Sequence, residues 1–329
     1  MVEGGVEIGT KYKSSYLKQK QALPLEAKIK LAQQRIQEWY EHWDGQVYIS
    51  FSGGKDSTVL LHLVKSMYPD VPAVFCNTGL EYPEVRQFGE KMADVVIKPK
   101  LKFTEVLSKY GYPIISKEVA KAVDDYRRNA PKGKRTLRMR QLDGEEFLNN
   151  GKPSFYDKSK YRYLVDADFL MSDKCCYHMK KSPMAKYEKD SGRKPYVGIM
   201  ADESLARKSA YLKTGCNSFT KSNPMSKPLS VWTEQDILKY LKENELEYAS
   251  VYGEIVCDEN GEYSCTGVDR TGCIFCGFGA HLDDEPNRFQ RLKNTHPRQY
   301  AFCMRGGYTI MDIGCLIKKG LEWNMSLSI

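Results

Sequence analysis

Two sets of residues in this chain have the types and spacing to do chemistry. The first is Ser52-Gly53-Gly54-Lys55-Asp56-Ser57. Adjacent glycines let the backbone approach an anion closely, the lysine adds a full positive charge, and the first N–H groups of a following helix would point at the anion from its positive end. That combination is a phosphate cradle. The second set is four cysteines, the adjacent pair Cys175-Cys176 and the pair Cys273 and Cys276, with Gly272, Gly277 and Gly279 giving the second turn room. Two thiolates two residues apart can ligate one metal centre from a single turn, and a second pair completes a four-thiolate set. Zinc and an iron–sulfur cluster are both compatible with four sulfurs, although adjacent cysteines fit the paired knuckles of structural zinc sites poorly. Cys216 and Cys303 are reserve ligands. Cys76, Cys257, Cys265 and Cys315 read as ordinary core or surface thiols.

The loop needs a strand before it and a helix after it, and the pattern supplies both. Val47, Ile49 and Phe51 alternate with polar partners as in a half-buried strand, while Leu60, Leu61, Val64 and Met67 recur at helical spacing. A Walker A loop is excluded, because the place of its first glycine holds Ile49 and Asp56 follows the lysine. The three spaced glycines of a Rossmann loop are missing as well. Further strands are expected at 73–76, 95–97 and 195–200. Helices are expected at 25–43, with Leu25, Ile29, Ala32 and Ile36 on the apolar stripe, at two places within 102–128, and at 202–212. Thr233 followed by Asp236 predicts an N-cap with a reciprocating carboxylate, opening a helix through residue 242. Strands alternating with helices indicate an α/β protein, a twisted, mostly parallel sheet with helices on both faces whose ligands bind at the carboxyl ends of the strands. That edge places Thr78 and Gly79, in the turn after the second strand, beside the bound nucleotide.

Composition narrows the setting. No apolar run approaches the roughly 18 residues of a membrane span, and the first residues are too polar for a signal peptide, so a cytosolic protein with no membrane partner is expected. In a reducing compartment closely spaced cysteines favour metal or redox chemistry over disulfides. The formal charge of +8 suits an anionic partner without choosing between nucleotide, RNA and DNA. Residues 1–23 form a basic N-terminal arm, expected to be frayed as termini usually are. Residues 24–245 read as the nucleotide-binding α/β domain, and 246–329 as a cysteine-rich cluster-binding region packed on it. A basic insertion at 131–162 interleaves lysines and arginines with Phe147, Phe155, Tyr156 and Tyr161, which suits a nucleic-acid partner; its Asp143, Glu145 and Glu146 argue for a solvated insertion instead.

Ser52–Ser57 behind a strand resembles the PP-loop of the ATP pyrophosphatase superfamily, whose members, as the resemblance implies, cleave ATP between its α- and β-phosphates. From residue 46 to about 281 the order of features resembles the iron–sulfur type of APS/PAPS (sulfonucleotide) reductases: the loop, the cysteine pair, Lys180-Lys181 before Pro183, Gly-x-x-x-Asp-x-Ser-x-x-Arg ending at Arg207, Pro228-Leu229-x-x-Trp232-Thr233, and Gly-Cys-x-x-Cys. The resemblance implies an adenine-nucleotide α-hydrolase-like fold, a [4Fe–4S] cluster on Cys175, Cys176, Cys273 and Cys276, and ATP, or PAPS or APS as substrate, at Ser52–Ser57. On that reading Lys55 and the loop amides stabilise pyrophosphate, Ser52 and Ser57 donate to phosphate oxygens, and Asp56 positions Mg2+. Lys180, Lys181, Arg207 and Arg270 become candidate anion contacts near the cluster. Two departures matter. Reductases carry arginines where this chain has Met200 and Ala201, with Glu203 in place of their glutamine, and their tail ends in a nucleophilic cysteine that 320–329 lacks. An ATP loop in its complete form with a cluster but no tail nucleophile resembles the sulfur-inserting relatives, which adenylate an acceptor before sulfur displaces AMP. A PAPS or APS reductase working with a thiol reductant protein is the alternative, and a non-catalytic nucleotide- or nucleic-acid-binding module with a structural cluster is another. The sulfur donor and the oligomeric state are left open by the sequence, a homodimer among the options.

Overall fold

The structure, a computed structural model, describes residues 11–148, 150–220 and 222–304. In chain order its strands are β1 (Val47–Phe51), β2 (Ala73–Cys76), β3 (Val95–Ile97), β4 (Ile114–Ile115), β5 (Lys194–Val197), β6 (Asn217–Ser218), β7 (Met225–Ser226), β8 (Ile255–Cys257), β9 (Tyr263–Cys265) and β10 (Gly277–Phe278). The chain divides into two compact units, one of residues 1–98 and 183–271, the other of 99–182 and 272–329.

The first unit is built on a six-stranded sheet ordered β3-β2-β1-β5-β7-β6. Every pairing is parallel except β6 with β7. Parallel strands need long crossovers, and helices supply them: Lys55–Met67 between β1 and β2, Pro83–Met92 between β2 and β3. The register sets Ser50 beside Val74 on one side and Val197 on the other, so β1 is central. Its Val47, Ile49 and Phe51 are buried with Leu60, Val64 and Phe75 in the core. The helix Leu25–His42 buries Leu25, Ala32, Ile36 and Trp39, the expected stripe, against that core. This is the α/β class expected from the sequence.

The second unit has its own core, in which Ile114, Val119, Ala120, Val123, Leu142, Leu164 and Met171 pack together. β4 pairs in parallel with β10, and the rings of Phe103 and Phe275 stack at 6.0 Å. From the helix Lys117–Asn129, Arg127 reaches across to the loop that leads to the cysteine pair. Its guanidinium donates to the carbonyls of Leu164, Val165, Ala167 and Phe169 at 2.6–2.9 Å.

These observations change the expected boundaries. Residues 246–271 belong with the phosphate loop rather than with the Cys-x-x-Cys turn, because Tyr252 and Ile255 are buried in the first core. Residues 99–182 leave the nucleotide domain to join the chain after 272, through β4 and β10. The described part of the basic arm is folded: Ser14–Gln21 is a helix, Leu17 is buried, and Tyr12 N–H donates to the Leu212 carbonyl at 2.9 Å. Expected strand 195–200 spans Lys194–Val197, and the helix expected from 202 begins at Leu205, because a 3-10 turn at Ala201–Glu203 comes between them. Residues 1–10 of the arm, the tail at 320–329 and Cys315 lie outside the described residues.

Candidate functional site

The phosphate loop lies where β1 ends and the helix Lys55–Met67 begins. Gly53 has φ +72°, and a Cβ there would stand 2.6 Å from the Val85 carbonyl oxygen, so the turn requires glycine on both counts. Gly54 is the N-cap and offers no side chain to the first-turn N–H groups, the first of which, Lys55 N–H, donates instead to the Tyr252 hydroxyl. The two serines brace the loop. Ser52 and Ser57 hydroxyls lie 3.0 Å apart, Ser57 Oγ donates to the Gly54 carbonyl at 2.8 Å, and Ser52 N–H donates to Ser57 Oγ at 3.2 Å. Gly198, at the end of β5, passes so close that a Cβ would stand 3.1 Å from the Asp56 carbonyl oxygen.

Lys55 is buried, and its ammonium has protein partners, the Glu234 carboxylate and the Asp269 carbonyl at 2.8 Å. It stands 5.6 Å over the ring of Tyr252, whose hydroxyl accepts from Lys55 N–H at 3.4 Å and lies 2.5 Å from Thr271 Oγ1. Asp56 follows with an enclosed Oδ1 that has no hydrogen-bond partner among the described residues. Burial pushes its carboxyl up; Lys55 opposes this, Glu234 adds to it, and Arg207 and Arg270 oppose it. Arg207, half-buried and paired with Glu203, is lowered by burial, with Asp56 opposing and Arg270 adding. Loop lysine, buried carboxylate and two arginines therefore share one electrostatic environment.

Met200 and Ala201, standing where reductases would carry arginines, are buried in the first core. Thr78 and Gly79 follow β2, at the same sheet edge as the loop. Thr78 donates to Glu81 at 2.6 Å, Gly79 N–H donates to Asn77 Oδ1 at 3.0 Å, and the space in front of the Gly79 Cα is open.

In the second unit the four cysteines lie within electrostatic reach of one another. Cys175 is buried, and its thiol is pushed up to about 12, chiefly by burial and then by Cys273, Cys176 and Cys276, with Lys180 opposing. Cys276 is also raised, by burial first and with Cys176 adding. A hydrogen bond of 3.0 Å from Cys276 N–H to the Cys273 carbonyl closes the second turn. A π-helical turn, Tyr177–Lys181, follows the first pair, a wide turn of the kind often found at functional sites. Among the described residues no group of three or more His, Cys, Asp or Glu converges on a single-ion site. Thiols must lose their protons before they can bind a metal centre.

The expected residues thus fall into two sets. Ser52 to Ser57 lie with Arg207 and Arg270; Cys175, Cys176, Cys273 and Cys276 lie with Lys180. Lys181 is exposed. The reserve ligand Cys216 belongs to the first unit, where burial pushes it up to about 11, and Cys303 is buried in the second. Sequence reasoning missed Glu234, Tyr252 and Asp269. It also passed over Cys265, raised by burial and pulled back by Lys55. Glu234 had a signal, since it follows Thr233 in the Pro-Leu-x-x-Trp-Thr junction; Tyr252 had none.

Comparison with known proteins gives these sites a family. The model of the phosphoadenosine phosphosulfate reductase domain matches residues 46–277. A phosphoadenosine 5'-phosphosulfate reductase of Serratia proteamaculans is 40% identical over 63 residues, 19% of this chain and 26% of that enzyme. An uncharacterised protein of Methanocaldococcus jannaschii is 24% identical over 73% of this chain and 38% of its own length, and another is 25% identical over 80% and 49%. The chain thus spans a quarter to a half of these relatives. A solved PAPS reductase from Candida auris, in a phosphate complex, aligns with 77% of this chain and 99% of its own at 15% identity and a TM-score of 0.40. The chain belongs to the phosphoadenosine phosphosulfate reductase domain family.

Proposed function

We propose that this protein is an ATP-using enzyme of sulfur metabolism that adenylates an acceptor oxygen so that sulfur can replace it. The observation that carries the reading is the pairing of a complete loop, Ser52–Ser57, with the enclosed, unpartnered Asp56 Oδ1. The acceptor oxygen would attack the α-phosphorus of ATP and pyrophosphate would leave. Loop amides and Lys55 would hold the leaving charge as it develops, and Arg207 and Arg270 would add positive charge beside Asp56. Asp56 Oδ1 would take a magnesium ion, whose charge offsets that of the phosphates. Cys175, Cys176, Cys273 and Cys276 would hold a [4Fe–4S] cluster, which when bound supplies a place to carry sulfur or electrons. Burial of Met200 and Ala201 supports ATP over a sulfonucleotide, because the segment that holds the sulfate in reductases presents apolar side chains to the core here.

Reduction of PAPS or APS to sulfite is the second reading, favoured by the domain match itself. One experiment separates the two. Protein reconstituted anaerobically with iron and sulfide is incubated with ATP, with water as the acceptor oxygen, or with PAPS and a thiol reductant. Pyrophosphate from ATP with no sulfite from PAPS is the expected result. Reductant-dependent sulfite would overturn the adenylation reading.

A further inference from the structure

The insertion at 131–162 carries nine basic and four acidic residues. The structure sorts those charges. Asp143 lies between Arg135 and Arg162, at 2.5 and 2.8 Å, Glu145 pairs with Arg135, and Glu146 pairs with Arg140 at 3.0 Å. Asp157 accepts from Ser159 N–H and Oγ. Every acid of the segment is therefore engaged locally, and three arginines are neutralised with them. Lys132, Lys134, Arg138, Lys152 and Lys160 stand in no ion pair among the described residues.

The same segment exposes its rings. Phe155 is 90% exposed, Tyr156 70% and Phe147 62%, more than any other aromatic side chain among the described residues. They belong to one small structure. Leu148 N–H donates to the Lys152 carbonyl and Ser154 N–H to the Glu146 carbonyl, both at 2.8 Å, so 146–148 and 152–154 pair as the arms of a hairpin with Phe147 opposite Pro153. Its exit is tied to the helix Leu137–Leu142 by Lys158, whose N–H and Nζ both reach Gln141 at 2.9 Å, while Nζ also reaches the Tyr156 carbonyl at 3.0 Å. Arg138 lies in the first turn of that helix.

We infer that this hairpin and the adjoining helix form a binding surface for single-stranded nucleic acid. Exposed rings and unneutralised cations carried by one short segment match what a single strand offers, base faces and phosphates. A duplex keeps its bases stacked on one another and has no free face for the rings. The inference does not rest on the sulfur-transfer reading, and uses no residue of the phosphate loop or of the cysteine set.

The test is a fluorescence anisotropy titration of the full chain with labelled single-stranded RNA, single-stranded DNA and a blunt duplex of about 16 nucleotides. Both single strands, or one of them, should bind more tightly than the duplex, and affinity should fall steeply between about 50 and 200 mM salt. Phe155→Ala with Tyr156→Ala should weaken binding by about tenfold or more, since each lost stack is worth that order. Lys132→Ala, Lys134→Ala and Lys152→Ala together should flatten the slope of log affinity against log salt by roughly 0.7 for each phosphate no longer neutralised. Circular dichroism of each variant checks that these exposed substitutions leave the fold intact. Equal affinity for duplex, affinity unchanged by removal of the rings, or sedimentation with anionic vesicles in place of oligonucleotide binding would each overturn the inference.

Discussion

Asp56 holds one enclosed oxygen with no hydrogen-bond partner among the described residues. A buried acceptor left unbonded costs about 1–3 kcal/mol, so the position is retained at the expense of stability. Burial raises its carboxyl above the ordinary value against the pull of Lys55. For a group raised in the fold, the stabilisation is fully present below the unfolded pKa, about 3.9 for aspartate, and is lost as pH rises through the folded value. Ionised Asp56 therefore weakens the fold at neutral pH. Asp56→Asn should melt about 2–4 °C higher than the parent at pH 7, lose that advantage at the acid end of a pH series, and fail to release pyrophosphate from ATP. A variant less stable at pH 7 would contradict the sign. Glu234 poses a different question, because its carboxylate occupies the ammonium that a phosphate would need. Glu234 is 44% exposed, so solvent discounts the pair. Glu234→Gln should tighten ATP binding by about 2- to 5-fold at low salt, read by calorimetry. Weaker binding would mean that Glu234 serves to orient Lys55 and does not compete for it.

At the scale of elements, the helix Glu234–Glu243 aims Glu234 at the loop, and its first turn is fixed by one carboxylate. Asp236 accepts from Thr233 N–H at 2.7 Å as the cap reciprocates, and accepts from the buried Lys28 ammonium at 2.7 Å. Removing its side chain breaks the reciprocal bond of the capping box to Thr233 N–H and leaves the enclosed Lys28 charge alone. Asp236→Ala should cost about 3–5 kcal/mol in urea unfolding, with Asp236→Asn costing less because the amide can still accept at the cap. The two variants being equally destabilised would show that the ion pair, and not the cap, is what matters. This cap was legible in the sequence, as were β2 and β3, whose apolar runs end at the turn residues that end the strands. The 3-10 turn at Ala201–Glu203 was not, because Met200 N–H bonds to the nearby Glu203 side chain at 2.8 Å, a local choice that periodicity does not encode. Nor could Tyr252 be read: it reaches Lys55 across 197 residues, and only the tertiary core brings it there.

For the whole molecule, the division of the chain makes a claim that sequence order alone would miss. Residues 99–182 and those after 272 form one unit, with β4 on β10 and Phe103 on Phe275, although some ninety residues of the other unit intervene. Cys175-Cys176 and Cys273-Cys276 thus share a unit before any metal is considered, and Arg127 fixes the loop ahead of the first pair through four carbonyls. Loading iron and sulfide anaerobically should then protect amides in both pieces together in hydrogen exchange, including β4 and the helix Lys117–Asn129, since ligands that bind only the folded form stabilise what holds them. ATP with magnesium should instead protect 47–60, 200–207 and 250–271, where the loop, Arg207, Tyr252 and Arg270 lie. The segment 246–271 is decisive. If iron protects it along with the Cys-x-x-Cys turn while β4 is unchanged, the boundary falls at 245 after all; if it responds to ATP alone, the interleaved division governs how each ligand stabilises the chain.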